Sequence, residues 1–352
     1  MITGNKGEWS ELYVLLNLLA SGKLYSAGKN MEKLENVYFP ILKILRDEKI
    51  GKPIEYDLGN EDTVELYIND ILIKTLRRKK IKDYSSSLLE EITRPTNQKS
   101  FTVENSENIL NDLCCTKLKA PSTDKTDIQL KLHDIHTGYE GIFGFSIKSE
   151  LGQPPTLFNS SQSTNFIYKL DHLTDIESIN NLKSIKKRIS LIARQCTPAF
   201  IKIQSNTFSN NLLLIDSYME KLLGEAVLYY YKNEVTKCLD IVNWLENDNP
   251  LNIPMSGFYT YKFKKLLCAI ALGMVSSTPW NGYDEANGGY IIVRTDGEVL
   301  SYHIYNRNAF EDYLLSNTKF ETASSSRNKF GNIYEDSGDY YIKLNLQIRF
   351  IK

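Results

Sequence analysis

The sequence reads Asp-Ile-Gln-Leu-Lys-Leu-His at residues 127–133 and Gly-Ile-Phe-Gly-Phe-Ser-Ile-Lys-Ser at residues 141–149. Polar and apolar side chains alternate in both stretches, which is the pattern of a β-strand with one buried face. The turn-forming residues around Gly138 predict that the two strands are neighbours in one sheet. Together with the helical patterns elsewhere in the chain, this strand pair predicts a mixed α/β (α+β) fold, with a mixed sheet flanked by helices.

The same strands carry an acid and a lysine. Eighteen residues separate Asp127 from Ser146-Ile147-Lys148. Because side chains alternate along a strand, Ser146 and Lys148 share one face and Ile147 faces the core. In PD-(D/E)XK nucleases, carboxylates on such strands hold Mg²⁺ beside the scissile phosphate, and the lysine assists the attacking water. The pattern predicts Asp127, Ser146 and Lys148 as catalytic residues, with Asp127 and the Ile147 carbonyl as metal ligands.

A serine stands at position 146, where this pattern has Asp or Glu, and a hydroxyl is a poor replacement for an anionic ligand. The site therefore needs another acid. Glu11 on the first predicted helix fits the GxxxE acid common in this nuclease superfamily and is the predicted catalytic and metal-binding residue. Glu8 on the same helix and Glu150 on the lysine strand remain alternatives.

The rest of the chain alternates between helical and strand patterns. We expect a nuclease core with its first helix and catalytic strands in residues 1–170. Residues 171–352 are expected to form helical and C-terminal β additions that contribute to DNA recognition. Helices are predicted at Glu8–Ala20, 63–77, 176–194, 210–246 and 308–317, and further strands at Gly289–Val293, 299–305 and 340–350.

Charge and cysteine content narrow the class of protein. The 352 residues carry a net charge of −1, which argues against a protein that coats nucleic acid nonspecifically but allows a specific DNA enzyme with a local basic groove. The five cysteines form no CxxC pair, so a structural zinc site is not expected. Without a signal pattern or a membrane-length apolar run, the expected location is the cytoplasm.

Two polar loops are candidates for reading DNA. One follows the lysine strand and is dense in hydrogen-bonding side chains; the other contains Arg327, and arginine contacts to guanine are the commonest specific ones. The predicted DNA-binding residues are Ser149, Gln153, Thr156, Asn159, Ser161, Thr164 and Asn165 in the first region and Ser326, Arg327 and Asn328 in the second.

Three segments resemble HpaII-type restriction endonucleases: residues 4–13 around Trp9, residues 144–149 with the loop that runs to Phe166, and residues 344–350. The serine at position 146 is similar to what that family carries. The resemblance implies a homodimeric, Mg²⁺-dependent Type II enzyme that hydrolyses both strands of double-stranded DNA at a short palindrome, CCGG. It also implies a partner cytosine methyltransferase.

Two other hypotheses remain open at this level. Because Ser146 departs from the acidic pattern, the chain could be a sequence-specific DNA-binding protein with a decayed nuclease site. A repair or modification-dependent nuclease could use the same core. An NTP-driven nuclease is disfavoured, since the sequence contains no GxxxxGK[ST] motif.

Overall fold

The computed structural model describes residues 2–28, 31–49, 52–94, 96, 98–119, 126–135, 137–303 and 307–351. The chain divides into two compact units. The first contains Met1–Pro155 and Glu285–Phe310, and the second contains Thr156–Asp284 and Glu311–Ile351. Both units combine helices with sheets, which confirms the mixed α/β class expected from the sequence.

The first unit holds the two predicted catalytic strands. With elements numbered along the chain, its helices are α1 (Lys6–Ser21), α2 (Arg78–Thr93) and α3 (Ser106–Asp112). Its strands are β1 (Thr3–Gly4), β2 (Lys23–Ala27), β3 (Lys33–Lys49), β4 (Lys52–Asp57), β5 (Thr63–Ile68), β6 (Ile71–Arg77), β7 (Phe101–Thr102), β8 (Ile128–His133), β9 (Glu140–Ser149), β13 (Gly289–Val293) and β14 (Val299–His303).

A nine-stranded mixed sheet organises this unit in the order β2-β14-β13-β9-β8-β3-β4-β5-β6. Strand β2 also pairs with β3, so the path of paired strands β2-β14-β13-β9-β8-β3 returns to its starting strand. Strands β8 and β9 are antiparallel, with Ile128 opposite Phe145 and His133 opposite Glu140. Strand β13 runs parallel to β9 on its other side. The predicted pairing of β8 with β9 is confirmed, and both strands belong to this closed path.

Helix α1 supplies a large part of the core, as its leucine spacing predicts. Asn5 caps it in a reciprocal arrangement with Glu8, and it ends at Gly22, whose positive φ of 66° suits glycine. Trp9 is fully buried, and its indole N–H donates to the carbonyls of Gly4 and Phe101, both at 3.1 Å. The start of the helix is therefore fixed both by its cap and by its packing.

The helix predicted at residues 63–77 is wrong, since this segment forms the hairpin β5–β6. Val64 and Leu66 are fully buried while their neighbours are partly exposed, which is strand periodicity. Asn69 and Asp70 have φ of 50° and 62°, the left-handed pair that a type I′ hairpin turn requires. The Asn-Asp pair therefore forms the hairpin turn, and the charged residues on either side hide this signal in the sequence.

The second unit has two smaller sheets, ordered β12-β11-β17-β16 and β10-β18-β15, and most of the predicted helices. None of the described helices is both long and apolar enough to cross a membrane. The elements are β10 (Thr156–Phe158), β11 (Asn165–Leu170), α4 (Ile176–Asn181), α5 (Ile185–Gln195), β12 (Ala199–Ile203), α6 (Asn206–Ile215), α7 (Met219–Asn233), α8 (Cys238–Asp248), α9 (Phe258–Leu272), α10 (Arg307–Ser316, across the boundary), β15 (Thr318–Phe320), α11 (Ser325–Asn328), β16 (Ile333–Asp336), β17 (Asp339–Asn345) and β18 (Ile348–Phe350).

Candidate active site

Asp127 lies immediately before β8 and is hydrogen-bonded to the neighbouring strand β9. Its backbone N–H donates to the Phe145 carbonyl at 2.9 Å, so the pairing of β8 and β9 continues by one residue. Its side-chain Oδ2 accepts the Ile147 N–H at 2.8 Å. The carboxylate is thereby held against β9 in one orientation, with its side chain only 11% exposed.

Ser146 connects this carboxylate to Lys148. The lysine Nζ donates to Ser146 Oγ at 2.8 Å, and Ser146 Oγ donates to Asp127 Oδ2 at 3.1 Å. The two strand residues share a face, and Ile147 belongs to the core, as alternation predicts. Ser146 is buried, and its hydroxyl positions the ammonium beside the Asp127 carboxylate.

Lys148 packs against an aromatic ring as well as against polar groups. Its Nζ is 5.1 Å from the centre of the Tyr290 ring, which stands opposite Ser146 on β13 and is buried. Burial lowers the pKa of Lys148, and the negative charges of Asp127 and Glu11 oppose that shift. A cation over an aromatic face is favourable where water is scarce.

Glu11 reaches the same site from α1. The neighbouring Ser10 donates to Ser149 Oγ at 2.8 Å, which ties the helix to the end of β9. Burial, reinforced by the charge of Asp127, raises the pKa of Glu11 to about 7. Two acids and a lysine therefore meet from three parts of the chain.

The two alternative acids have other partners. Glu8 Oε2 accepts the Asn5 backbone N–H at 2.8 Å as part of the helix cap. Glu150 accepts a backbone hydrogen bond from Thr295, and burial raises its pKa. Of the three candidate acids, the structure brings Glu11 to Asp127 and Lys148.

Lys119 was not identified as a site residue from the sequence. Its Nζ lies 3.6 Å from Glu11 Oε1 and 3.9 Å from Asp127 Oδ1, so one ammonium faces both carboxylates. No sequence motif marks this lysine, because only the tertiary fold brings it close to the two acids. Tyr290 was missed for a similar reason, since its role depends on the parallel pairing of β13 with β9.

The donor set suits a hard cation. Glu11 and Asp127 offer carboxylate oxygens, which Mg²⁺ prefers, and Lys119 shows that a cation is accommodated between them. Among the described residues, no group of three or more His, Cys, Asp and Glu could hold a metal. A metal here would rest on two acids, a neutral oxygen such as the Ile147 carbonyl, and water.

A cleft of about 810 Å³ opens beside the site. Glu11 and Lys148 lie on its wall, with the predicted Ser149 and Gln153. Two further basic residues, Lys6 and Lys99, line it and were not predicted. Its mixed lining of basic, acidic and uncharged polar residues suits a nucleic-acid backbone better than a small apolar ligand.

The two predicted recognition loops touch each other in the second unit. Asn165 Nδ2 donates to the Asn328 carbonyl at 2.9 Å, and Asn328 Nδ2 donates to Ser160 Oγ at 3.1 Å. Arg327, beside this junction, is exposed and pairs with no acid of the described residues. The loops thus form one surface, which we call the loop junction, comprising residues 159–165 and 324–329.

Not every predicted DNA-binding residue is on the outside of the loop junction. Thr164, Asn165 and Asn328 are buried, and their side chains bond within the fold. Ser161 caps a 3₁₀ turn at Gln162–Thr164, and Thr156 begins β10. Asn159, Ser326 and Arg327 are exposed. The buried residues therefore hold the loops in shape, and the exposed residues remain accessible on their surface.

Comparison with known proteins identifies relatives over nearly the full length. The sequence model of the HpaII restriction endonuclease family matches residues 5–350. The chain is 43% identical to the Type II restriction enzyme HpaII of Haemophilus parainfluenzae, with 99% of each chain covered. No solved structure matches.

Proposed function

The chain belongs to the HpaII restriction endonuclease family, and from this premise we propose how its residues find and cut DNA. It is a Type II restriction endonuclease, a site-specific deoxyribonuclease, which confirms the resemblance seen in its sequence. The proposal concerns the parts that the family alone does not supply: a PD-(D/E)XK-type site at Glu11, Asp127 and Lys148, its metal, its target and its assembly.

Glu11 and Asp127 are proposed to hold Mg²⁺, with the Ile147 carbonyl as a third ligand. The support is their approach to a shared cation and the preference of Mg²⁺ for oxygen ligands. Bound there, Mg²⁺ would polarise the scissile phosphate and make a nearby water more acidic. Asp127 keeps its orientation because Oδ2 is held by the Ile147 N–H.

Lys148 is proposed to orient the attacking water and to stabilise the negative charge that develops on the phosphate. Its ammonium is positioned by Ser146 Oγ, 2.8 Å away, so little reorganisation is needed when that charge appears. Ser146 therefore positions the lysine and is not itself a metal ligand. This role supports an intact nuclease site over a decayed one, because the serine is fully engaged with both neighbours.

Lys6 and Lys99 in the cleft are proposed to neutralise phosphates beside the scissile bond, with Gln153 and Ser149 as polar contacts. At the loop junction, Asn159, Ser326 and Arg327 are proposed to read base edges. An arginine suits a CCGG target, since every base pair there contains a guanine. In this proposal the first unit carries catalysis and the second carries recognition.

The proposed assembly is a homodimer, and the proposed biological partner is a cytosine methyltransferase. A palindrome presents the same sequence on both strands, so two copies related by a two-fold axis would place one active site on each. The methyltransferase would protect the host site from cleavage.

One observation carries the proposed site: the continuous hydrogen-bonded path from Lys148 through Ser146 to Asp127, with Glu11 beside it. We expect Asp127→Asn to lose cleavage and metal binding, because an amide is a weak Mg²⁺ ligand. Glu150→Gln, which neutralises an acid just after β9 and outside the path, should cut normally. The measurement is plasmid digestion in Mg²⁺ and in Ca²⁺, with end mapping of the fragments.

Retained cleavage in Asp127→Asn would contradict the proposed metal site. Specific binding without cleavage by the wild type would favour a decayed nuclease, and cleavage of modified DNA alone would favour a modification-dependent enzyme.

A further inference from the structure

Lys119 occupies the position between the two acids of the proposed site. The separations of 3.6 Å to Glu11 Oε1 and 3.9 Å to Asp127 Oδ1 are ion-pair distances to both acids at once. These acids come from α1 and from the start of β8, and no other lysine or arginine of the described residues is paired with either. One ammonium therefore makes ion-pair contacts with both carboxylates, while Lys148 and Arg46 act on Glu11 from farther away.

The backbone that carries Lys119 is held firmly. Arg46, a buried residue of β3, donates from Nη2 to the Lys117 carbonyl at 2.7 Å and to the Leu118 carbonyl at 3.0 Å. Arg46 is itself fixed by Glu48 at 2.8 Å, and Glu48 accepts the Thr116 backbone N–H at 2.8 Å. The peptide groups next to Lys119 are thus clamped, while its side chain remains 46% exposed.

From this arrangement we infer that Lys119 is a counter-cation, which occupies the acid pair in the metal-free enzyme and is displaced when the divalent metal binds. The inference rests on the proposed metal site. A metal ligated by both carboxylates lies within about 2 Å of their oxygens and so comes close to the ammonium. The flexible lysine stem allows Nζ to leave while the clamped backbone stays in place.

The need to displace Lys119 lowers the affinity of the site for the metal. Before the metal enters, the ammonium must give up its attraction to both acids, and afterwards it is repelled by the metal. Removing the positive charge should therefore tighten metal binding on the order of tenfold, since charges about 4 Å apart interact strongly at the edge of a protein. In the absence of metal, Lys119 reduces the repulsion between Glu11 and Asp127.

The test uses Lys119→Met in the full-length protein without DNA, with Mn²⁺ as the probe and calorimetry at pH 8. We expect Mn²⁺ to bind about tenfold more tightly than to wild type, and the metal-induced rise in Tm to be larger. Lys119→Arg retains the charge and should bind Mn²⁺ as wild type does. Lys117→Met, which removes an exposed lysine two residues away, is the matched control and should change neither quantity.

Unchanged or weaker Mn²⁺ binding by Lys119→Met would overturn the inference, as would equal tightening by Lys117→Met. Normal Mn²⁺ affinity with lost cleavage would assign Lys119 to DNA contact instead. Asp127→Asn separates the two levels: if it binds Mn²⁺ as wild type does, the metal site itself is wrong. If it loses Mn²⁺ and Lys119→Met behaves as wild type, the counter-cation alone is wrong.

Discussion

At the scale of single residues, the role proposed for Lys148 is to stabilise charge that appears only during the reaction. We expect Lys148→Ala to lower cleavage by about 10²–10³-fold or more, the usual loss for one preorganised electrostatic group. Specific binding in Ca²⁺ should stay near wild type, since the lysine contributes little to the ground state. Single-turnover cleavage and equilibrium binding measure the two effects separately.

The control for this substitution is Lys131→Ala, a lysine on β8 that pairs with Glu140 at 3.0 Å. It removes the same charge from the adjacent strand and should leave cleavage unchanged. Cleavage by Lys148→Ala within tenfold of wild type would remove Lys148 from the site.

Glu11 gives a prediction about stability and pH. An acid whose pKa rises from 4.5 to about 7 on folding costs no stability well below pH 4.5, where it is protonated in both states. The cost appears as pH rises through this window and is complete above pH 7, at up to about 3 kcal/mol. Glu11→Gln stays neutral, so in EDTA it should be more stable than wild type at pH 8 and equal to it at pH 4.5.

Urea unfolding at these two pH values measures the difference. Glu8→Gln, one turn earlier on the same helix, is the matched control: it weakens the cap with Asn5 and should be destabilised by up to about 1 kcal/mol. A wild type more stable than Glu11→Gln at pH 8 would contradict the raised pKa.

The sequence predicted the residues of the site that lie on a regular pattern. Strand alternation puts Ser146 and Lys148 on one face, the spacing of a nuclease motif adds Asp127, and the GxxxE pattern on the first helix adds Glu11. Lys119, Arg46 and Tyr290 could not be found this way. Each acts through a contact between segments far apart in sequence, and no local periodicity encodes such a contact.

At the scale of elements, periodicity predicted the strands and helices that bury one face. It failed at 63–77 because the alternation there is masked by charged residues, and because Asn69-Asp70 was not recognised as a left-handed turn. The residues 324–329, expected to be a loop, contain the short helix α11. Short elements depend on tertiary contacts, such as those of Asn328, more than on propensity.

Arg327 on α11 carries the prediction at this scale. If it reads a guanine, Arg327→Ala should weaken binding to the cognate site by about 1–3 kcal/mol and leave nonspecific binding nearly unchanged. Lys329→Ala, a nearby exposed cation, should cost no specificity. An equal loss on all sequences with a shallower salt dependence would instead make Arg327 a phosphate contact.

At the scale of the whole molecule, sequence patterns did not indicate how the chain divides into its two compact units. Glu285–Phe310 belongs to the first unit although it follows the helices of the second. The strands β13 and β14 in this segment read as strands from their composition, yet nothing local indicates that β13 pairs with the lysine strand β9. Long-range pairing of this kind is decided by the complete fold.

The prediction for the whole molecule concerns assembly and target. Sedimentation should show a homodimer, because one chain contains a single Asp127–Lys148 pair and double-strand cleavage needs two. The enzyme should cut unmethylated CCGG, and prior treatment with a CCGG methyltransferase should block it, since a methyl group in the major groove obstructs cytosine recognition. Fragments at a different palindrome would remove the CCGG assignment alone.

The closed path of paired strands from β2 to β3 restricts changes in strand register at the candidate site. A slip of one residue between β8 and β9 would turn Lys148 and Asp127 towards opposite faces. In an open sheet such a slip involves two strands, but here β9 is also bound to β13, and β8 to β3. A slip would have to be shared by every strand of the circuit. The circuit therefore keeps the strands aligned, and with them the spacing between Asp127 and Lys148.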